Sequence, residues 1–478
     1  MIIKILIVLL LIAVGLLLTA LIKAFAVQKP KNSYEEKSAD KARAQNYGEK
    51  LSKLIKIETI SSMNDKSRDK FYVFHEELER IFPLIHKNCE KKVFNGSLLF
   101  KWRGKGNAEP VMLMSHHDVV EAPGKWTHPP FGGEITDDIL WGRGTVDTKA
   151  NLFCFMTAVE ELLEKGFTPM GDIYLVSTCT EECAGEGGAM IADYFKSNGI
   201  KLAMALDEGG MVVDEPIKGI PGRFAMLGVV EKGTGDVKFI AKGLGGHASA
   251  PPKNTPIARL AAFINDVERH NPFEVKFSST VTEMYRRMTP NMPFGMKFIF
   301  ANLWLFEPLV KKLMPSISAA GNAMLQTSCA FTTQKGSEGL NVLPQEAYVT
   351  ANMRFIPHQS TDESIRIISD IAKKYNLETE IISKDYPCPV VDYNSSYFKY
   401  VESAIQAIYP NVISSPYVMT GGTDCRFFSE VCDNCIRFAP LAITSEQMNS
   451  VHAIDENINI SSLVGGVDFF KYVIENWK

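Results

Sequence analysis

The sequence predicts an α/β protein, a mixed sheet flanked by helices and interrupted by an inserted α+β unit. Three observations carry this. Apolar runs at residues 111–114, 173–176 and 202–206 each stop abruptly at polar residues, as buried strands do when their ends open on a crevice. A helical period over 149–165 separates the first two, with Leu152, Phe153, Met156, Val159 and Leu163 on one face and Gly166 as its stop, which makes a β-α-β unit. Near Thr234 the pattern changes to strict alternation, and the first style returns only after Cys388.

From the N-terminus, residues 5–22 carry no charge between Lys4 and Lys23, which is at the short limit for a helix that crosses a bilayer. Residues 1–27 therefore read as a single-pass membrane anchor. The alternative is a signal peptide cleaved after Ala24-Phe25-Ala26, disfavoured because the apolar run exceeds the usual ~7 to 15 residues. Flanking lysines leave the sidedness open, with the extracytoplasmic side favoured for the body. Residues 28–45 lack apolar periodicity and read as a tether or the start of a surface helix.

A first domain spans residues 46–233 and resumes over 387–478, so the unit at 234–386 is an insertion. In it, residues 236–242 alternate with Val237, Phe239 and Ala241 on one face. A glycine turn ending at His247 then leads to a helix with Ile257, Leu260, Ala261 and Ile264 on its apolar side. Residues 347–354 alternate again, with Ala347, Val349, Ala351 and Met353 inward and Asn352 and Arg354 outward, before a helical stretch at 364–374. A helix over 397–408 begins the return to the first domain.

Composition sets the class. With 478 residues, 46% hydrophobic and 22% charged, the chain can bury a sizeable core and is not disordered. Fifty-one basic against 55 acidic residues leave a net charge of −4, which gives no general attraction for nucleic acid. Nine cysteines, an odd number in a chain too long to need staples, are expected to be mostly buried free thiols, and the spacing Cys432-x-x-Cys435 to be incidental.

The chemistry lies in five candidate metal ligands: His116, Asp147, Glu182, Glu208 and His452. Asp118, two residues after His116, suits the task of fixing that imidazole's tautomer. Two metal ions ~3.5 to 4 Å apart need one carboxylate whose two oxygens bridge them, a part that suits Asp147. Glu181 and Glu182 would repel each other side by side unless one binds metal and the other takes a proton from water. A solvated acidic turn is the plain alternative, set aside because the pair ends a buried strand.

The segments Met114–Val120 (with His116 and Asp118), Gly142–Lys149 (with Asp147), Thr180-Glu181-Glu182, Leu206-Asp207-Glu208-Gly-Gly, Gly245-Gly246-His247-Ala-Ser and Val451–Glu456 (with His452) together resemble the di-zinc aminoacylase and carboxypeptidase family. They are most similar to the branch containing carboxypeptidase S and the membrane-linked or secreted N-acyl-amino-acid amidohydrolases. The resemblance runs from about residue 45 to the end.

It implies a zinc-dependent exopeptidase-type domain with an inserted lid, holding two Zn2+ ions for which Co2+ or Mn2+ can substitute. His116, Asp147 and Glu208 would hold one ion, Asp147, Glu182 and His452 the other, Asp147 bridging. Glu208 is taken over Asp207 because the family's ligand immediately precedes the glycines. Glu181 would be the general base and Asp118 would orient His116. His247, commonly from the partner subunit, would stabilise the tetrahedral intermediate, Arg354 would clamp a substrate carboxylate, and Asn341 would hydrogen-bond the substrate.

The expected reaction is hydrolysis of an N-acyl amino acid, or of the C-terminal peptide bond of a small peptide, whose product bears a free carboxylate. A homodimer through the lid and a membrane contact through the N-terminal segment are expected as well. The alternative is a catalytically inactive zinc-binding dimeric scaffold, which would have little reason to keep Glu181 beside a full ligand set. Methionines 284, 288, 292, 296, 314 and 324, interleaved with aromatic residues, are read as adaptable apolar surface for an acyl chain or bilayer, with lid core or dimer contact as the alternative.

Overall fold

The computed structural model describes residues 1–28, 40–183 and 185–478. The three runs that end in polar residues are the middle of a ten-stranded mixed sheet. In chain order its strands are β1 (Glu90–Phe94), β2 (Ser97–Trp102), β3 (Ala108–His116), β4 (Gly171–Thr178), β5 (Met204–Asp207), β6 (Val212–Asp214) and β7 (Arg223–Glu231). After the insertion come β12 (Ile413–Met419), β13 (Cys435–Arg437) and β14 (Ala442–Ile443). The spatial order is β1-β2-β4-β3-β5-β13-β7-β6-β14, with β12 alongside β7. Strands β4, β3 and β5 are adjacent and parallel, so their C-terminal ends open at one edge, where ligands of open α/β sheets bind.

Three helices of this body matter here: α1 (Ile2–Ala26), α2 (Lys41–Ile55) and α3 (Lys149–Glu164). Helix α3 makes the crossover between β3 and β4, and it is buried on more than its apolar face because the C-terminal helix Ile460–Asn476 covers its far side. Helix α2 begins within the span read as a tether, capped by Asp40, which accepts from the Ala42 and Arg43 backbone N–H groups at 3.1 Å each. Residues 29–39 of that tether lie outside the described residues. Helix α1 is the one helix among the described residues long and apolar enough to cross a membrane.

The insertion has two parts. One is a lid sheet with order β9-β10-β8-β11, made of β8 (Gly233–Lys242), β9 (Ser328–Lys335), β10 (Glu346–Phe355) and β11 (Glu378–Lys384). Helices Pro256–Arg269 and Thr361–Lys374 cover its apolar face. Val237, Phe239 and Ala241 meet Ala347, Val349, Ala351 and Met353 there, as the alternation predicts. Leu260 and Phe263 are buried against them, whereas Ile257, expected on the same side, is exposed in the first helical turn.

The other part is α4 (Ser279–Met288), α5 (Phe294–Phe300) and α6 (Leu303–Ile317), which pack on the larger body instead of on the lid. This decides the methionine run. Met284, Met288, Met292, Met314 and Met324 are buried in the main core and Met296 is half-buried against it. The helical period of α4 puts Met284 and Met288 on the side of Val281 and Tyr285, facing β12.

Candidate active site

His116 is the last residue of β3, opposite Thr178 at the end of β4. Its Nδ1 donates to the Asp118 carbonyl oxygen at 2.9 Å, and its Nε2 faces Asp147 Oδ1, 3.1 Å away. The buried Asp118 carboxylate also fixes the acidic pair. Its Oδ1 accepts from the Glu181 N–H (3.2 Å), and its Oδ2 from the Glu182 N–H (3.1 Å) and the Ser61 hydroxyl (2.6 Å).

Asp147 stands between two histidines. Its Oδ2 is 2.9 Å from His452 Nε2, which is also 3.3 Å from Glu182 Oε2. Donor atoms of His116, Asp147 and Glu182 all lie within 4.8 Å of one another. Glu208 feels Asp147, Asp207, His116 and Glu181 electrostatically. The neighbouring Asp207 is engaged elsewhere, accepting from the backbone N–H groups of Glu208 (2.8 Å) and Cys425 (2.9 Å).

One residue of this site had no role assigned from sequence. Glu456 is fully buried and accepts from the backbone N–H groups of Gly144 (3.1 Å), Val146 (2.8 Å) and Asp147 (3.1 Å), while Arg143 pairs with it at 2.7 Å. It shapes the loop that presents Asp147. The available signal was its place in the Val451–Glu456 segment, four residues after His452.

The electrostatics describe a nest for cations. Burial raises the pKa of Glu181, Glu182 and Glu208, and neighbouring carboxylates raise each further. Burial also penalises ionised Asp147, yet His116 and His452 hold it well below the usual carboxylate range. The bonds to Asp147 and Glu182 raise His452 to about 10. Glu182 Oε1 is buried with no hydrogen-bond partner. Crowded carboxylates, two imidazoles and an orphaned acceptor oxygen are a donor set that divalent metal fits.

Across from this cluster, a cleft of ≈ 1210 Å³ separates the larger body from the lid. Glu182, His452 and Arg426 line one side, and Arg354, Asp236 and Lys384 the other. Arg354 Nε donates to the Asn352 side chain (3.2 Å), whose amide donates to Asp236 (2.8 Å), so the guanidinium is steered into the cleft from β10. His247 and Asn341 stand apart. His247 is exposed on the lid, with Nδ1 held by Ser249, and pairs in a short bridge with Val342, next to Asn341. Neither residue lines the cleft within one chain.

Residues 112–476 match the model of Peptidase family M20/M25/M40. The chain belongs to that family. It is 33% identical to "Probable carboxypeptidase S-like 2" of Dictyostelium discoideum, over 90% of this chain and 84% of the relative. It is 31% identical to human "N-fatty-acyl-amino acid synthase/hydrolase PM20D1", over 90% and 87%. Among solved structures, an M20 family metallo-carboxypeptidase, Sso-CP2 from Sulfolobus solfataricus, has the same fold with a TM-score of 0.66 at 17% identity, covering 89% of this chain and 98% of that one. Human carnosine dipeptidase 1 follows at 0.64 and 14%, covering 91% and 96%. As a member of the M20/M25/M40 family the chain is an enzyme, a metal-dependent hydrolase, and the inactive-scaffold alternative is set aside.

Proposed function

We propose that this hydrolase cleaves the amide bond between an acyl or peptidyl group and an amino acid with a free carboxylate, using two divalent metal ions, zinc for preference. The observation that carries the reading is Asp147, whose two oxygens address His116 Nε2 and His452 Nε2 separately, as a carboxylate shared by two ions must. His116, Asp147 and Glu208 would hold one ion, and Asp147, Glu182 and His452 the other. When bound, the ions supply Lewis-acid polarisation of the scissile carbonyl and make the attacking water more acidic. Glu181, anchored through its N–H to Asp118, takes the proton from that water and returns it to the leaving amine. Arg354 pairs with the substrate carboxylate from the far wall of the cleft.

His247 lies on the lid outside the cleft, which fits action on a second copy of the chain and hence a homodimer. Asn341, beside it, would contact the same substrate. The names of the relatives favour an acyl amino acid over a dipeptide: PM20D1 is named for N-fatty-acyl amino acids. Helix α1 would hold the enzyme at a membrane.

The deciding experiment follows amine release by the full chain in detergent, from N-acyl amino acids of increasing acyl length and from dipeptides, before and after chelation. Chelator-sensitive release that rises with acyl length is the expected result. Release from dipeptides alone makes the enzyme a peptidase, and chelator-insensitive release overturns the metal assignment.

A further inference from the structure

The C-terminal end of α1 is seated on the body in one place. Ala20 and Ala24 are its buried residues among those described. The buried Asn302 side-chain amide, between α5 and α6, donates to the Ala20 carbonyl at 2.9 Å. The Phe25 and Phe294 rings lie 5.0 Å apart, and the Lys23 ammonium stands 5.1 Å from the centre of the Trp304 ring.

Helix α6 buries one apolar side and leaves apolar residues exposed beside it. Val310 and Met314 are buried in the main core, with Leu303 and Phe306 packed against it. Leu309, Leu313 and Ile317, four residues apart, run along the edge of that buried face and are 48%, 44% and 71% exposed. Trp304 (50%) and Phe294 (48%) are exposed at the foot of α1. An exposed aliphatic row on α6 and two exposed aromatic rings at the foot of α1 leave apolar surface of the kind that marks a partner.

We propose that α5 and α6 form a membrane-docking surface, lying in the headgroup and acyl boundary of the bilayer that α1 crosses. The inference rests on the reading of α1 as a membrane span. Lipid is the occupant because the two exposed rings, Trp304 and Phe294, contact the end of that span. Lys23 is the first charge after the uncharged run, so it marks the edge of the hydrocarbon, and Trp304 and Phe294 sit at its level. Aromatic rings at that depth and an interfacial helix with outward leucines are how a body is held against a bilayer.

The test uses the full chain in phosphatidylcholine vesicles, with or without bromine on the acyl chains, and compares wild type with Trp304→Phe. The Trp304 emission, taken as the difference between the two proteins, is expected to shift to the blue and to lose most of its intensity in brominated lipid. Equal Trp304 emission in the two lipids, in protein that floats with the vesicles, overturns the docking surface and leaves the anchor standing. Protein that fails to float overturns both. Trp304 shielded from brominated lipid and from aqueous iodide alike would mean that a protein surface covers it, which also overturns the proposal. Leu309→Ser/Leu313→Ser/Ile317→Ser is the second probe: it is expected to stay anchored through α1 while its Trp304 becomes accessible to iodide.

Discussion

Asp147 and Glu181 divide the labour at the residue scale: one offers its oxygens to two histidines, and the other, held by Asp118, is left to move a proton. Glu181→Gln is expected to lower turnover by about 10² to 10⁴ with metal content unchanged, read by single-turnover kinetics beside elemental analysis. An undiminished rate would assign the base elsewhere. Glu456 never faces the cleft, yet it receives three backbone N–H groups and Arg143 around the loop that ends in Asp147. Glu456→Gln keeps the shape but loses the charge opposing Arg143. Metal affinity, measured by chelator competition, is expected to fall about 10- to 100-fold, the usual cost of removing a support behind a ligand.

Among elements, β10 and the β7–β8 junction connect the lid to the site. Arg354 is aimed by Asn352 and Asp236 across the β8–β10 pair, so its planar fork is pre-set for a carboxylate. Arg354→Lys keeps the charge and loses the fork, and is expected to raise KM about tenfold or more with a smaller change in kcat. At the junction, Lys232 is buried and donates to the Ala323 and Gln326 carbonyls and the Ser328 hydroxyl. Burial, helped by Arg354, pushes its pKa down to about 7 from an ordinary 10.5. The unfolded chain therefore binds more protons than the folded one between those values, so this group makes stability rise with pH across that window and contributes no slope below it. Urea unfolding near pH 7 and pH 10 is expected to show a smaller gain for Lys232→Met than for wild type, and an equal gain would place Lys232 in water.

At the scale of the whole molecule, the arrangement separates His247 from the cluster it is expected to serve. Within one chain it is exposed and bound to Ser249, away from the cleft residues. If it acts across a dimer, mixing inactive His247→Ala with inactive Glu181→Gln restores part of the activity, because mixed pairs contain one intact combination. No recovery after subunit exchange, verified by mass, would mean that His247 serves its own chain after a lid movement or serves no catalytic purpose.

Much of this was legible in the amino-acid order because it depends on local periods. Alternation at residues 347–354 placed Arg354 on the face opposite Met353, and polar residues at the ends of apolar runs marked His116, Glu181 and Glu208 at one edge of a parallel sheet. The long-range decisions were not in the spacing. Glu456 acts on a loop 309 to 313 residues earlier, and only the folded chain shows where its carboxylate points. Asp207 and Glu208 are adjacent acids, and only the folded chain shows Asp207 accepting from two backbone N–H groups, one of them from Cys425. The methionine run reads as adaptable surface in sequence, and became main core because α4 meets β12 and not the lid. Periodicity fixes which side of an element is apolar; which partner covers that side is a property of the tertiary fold, since burial depends on neighbours brought from far along the chain.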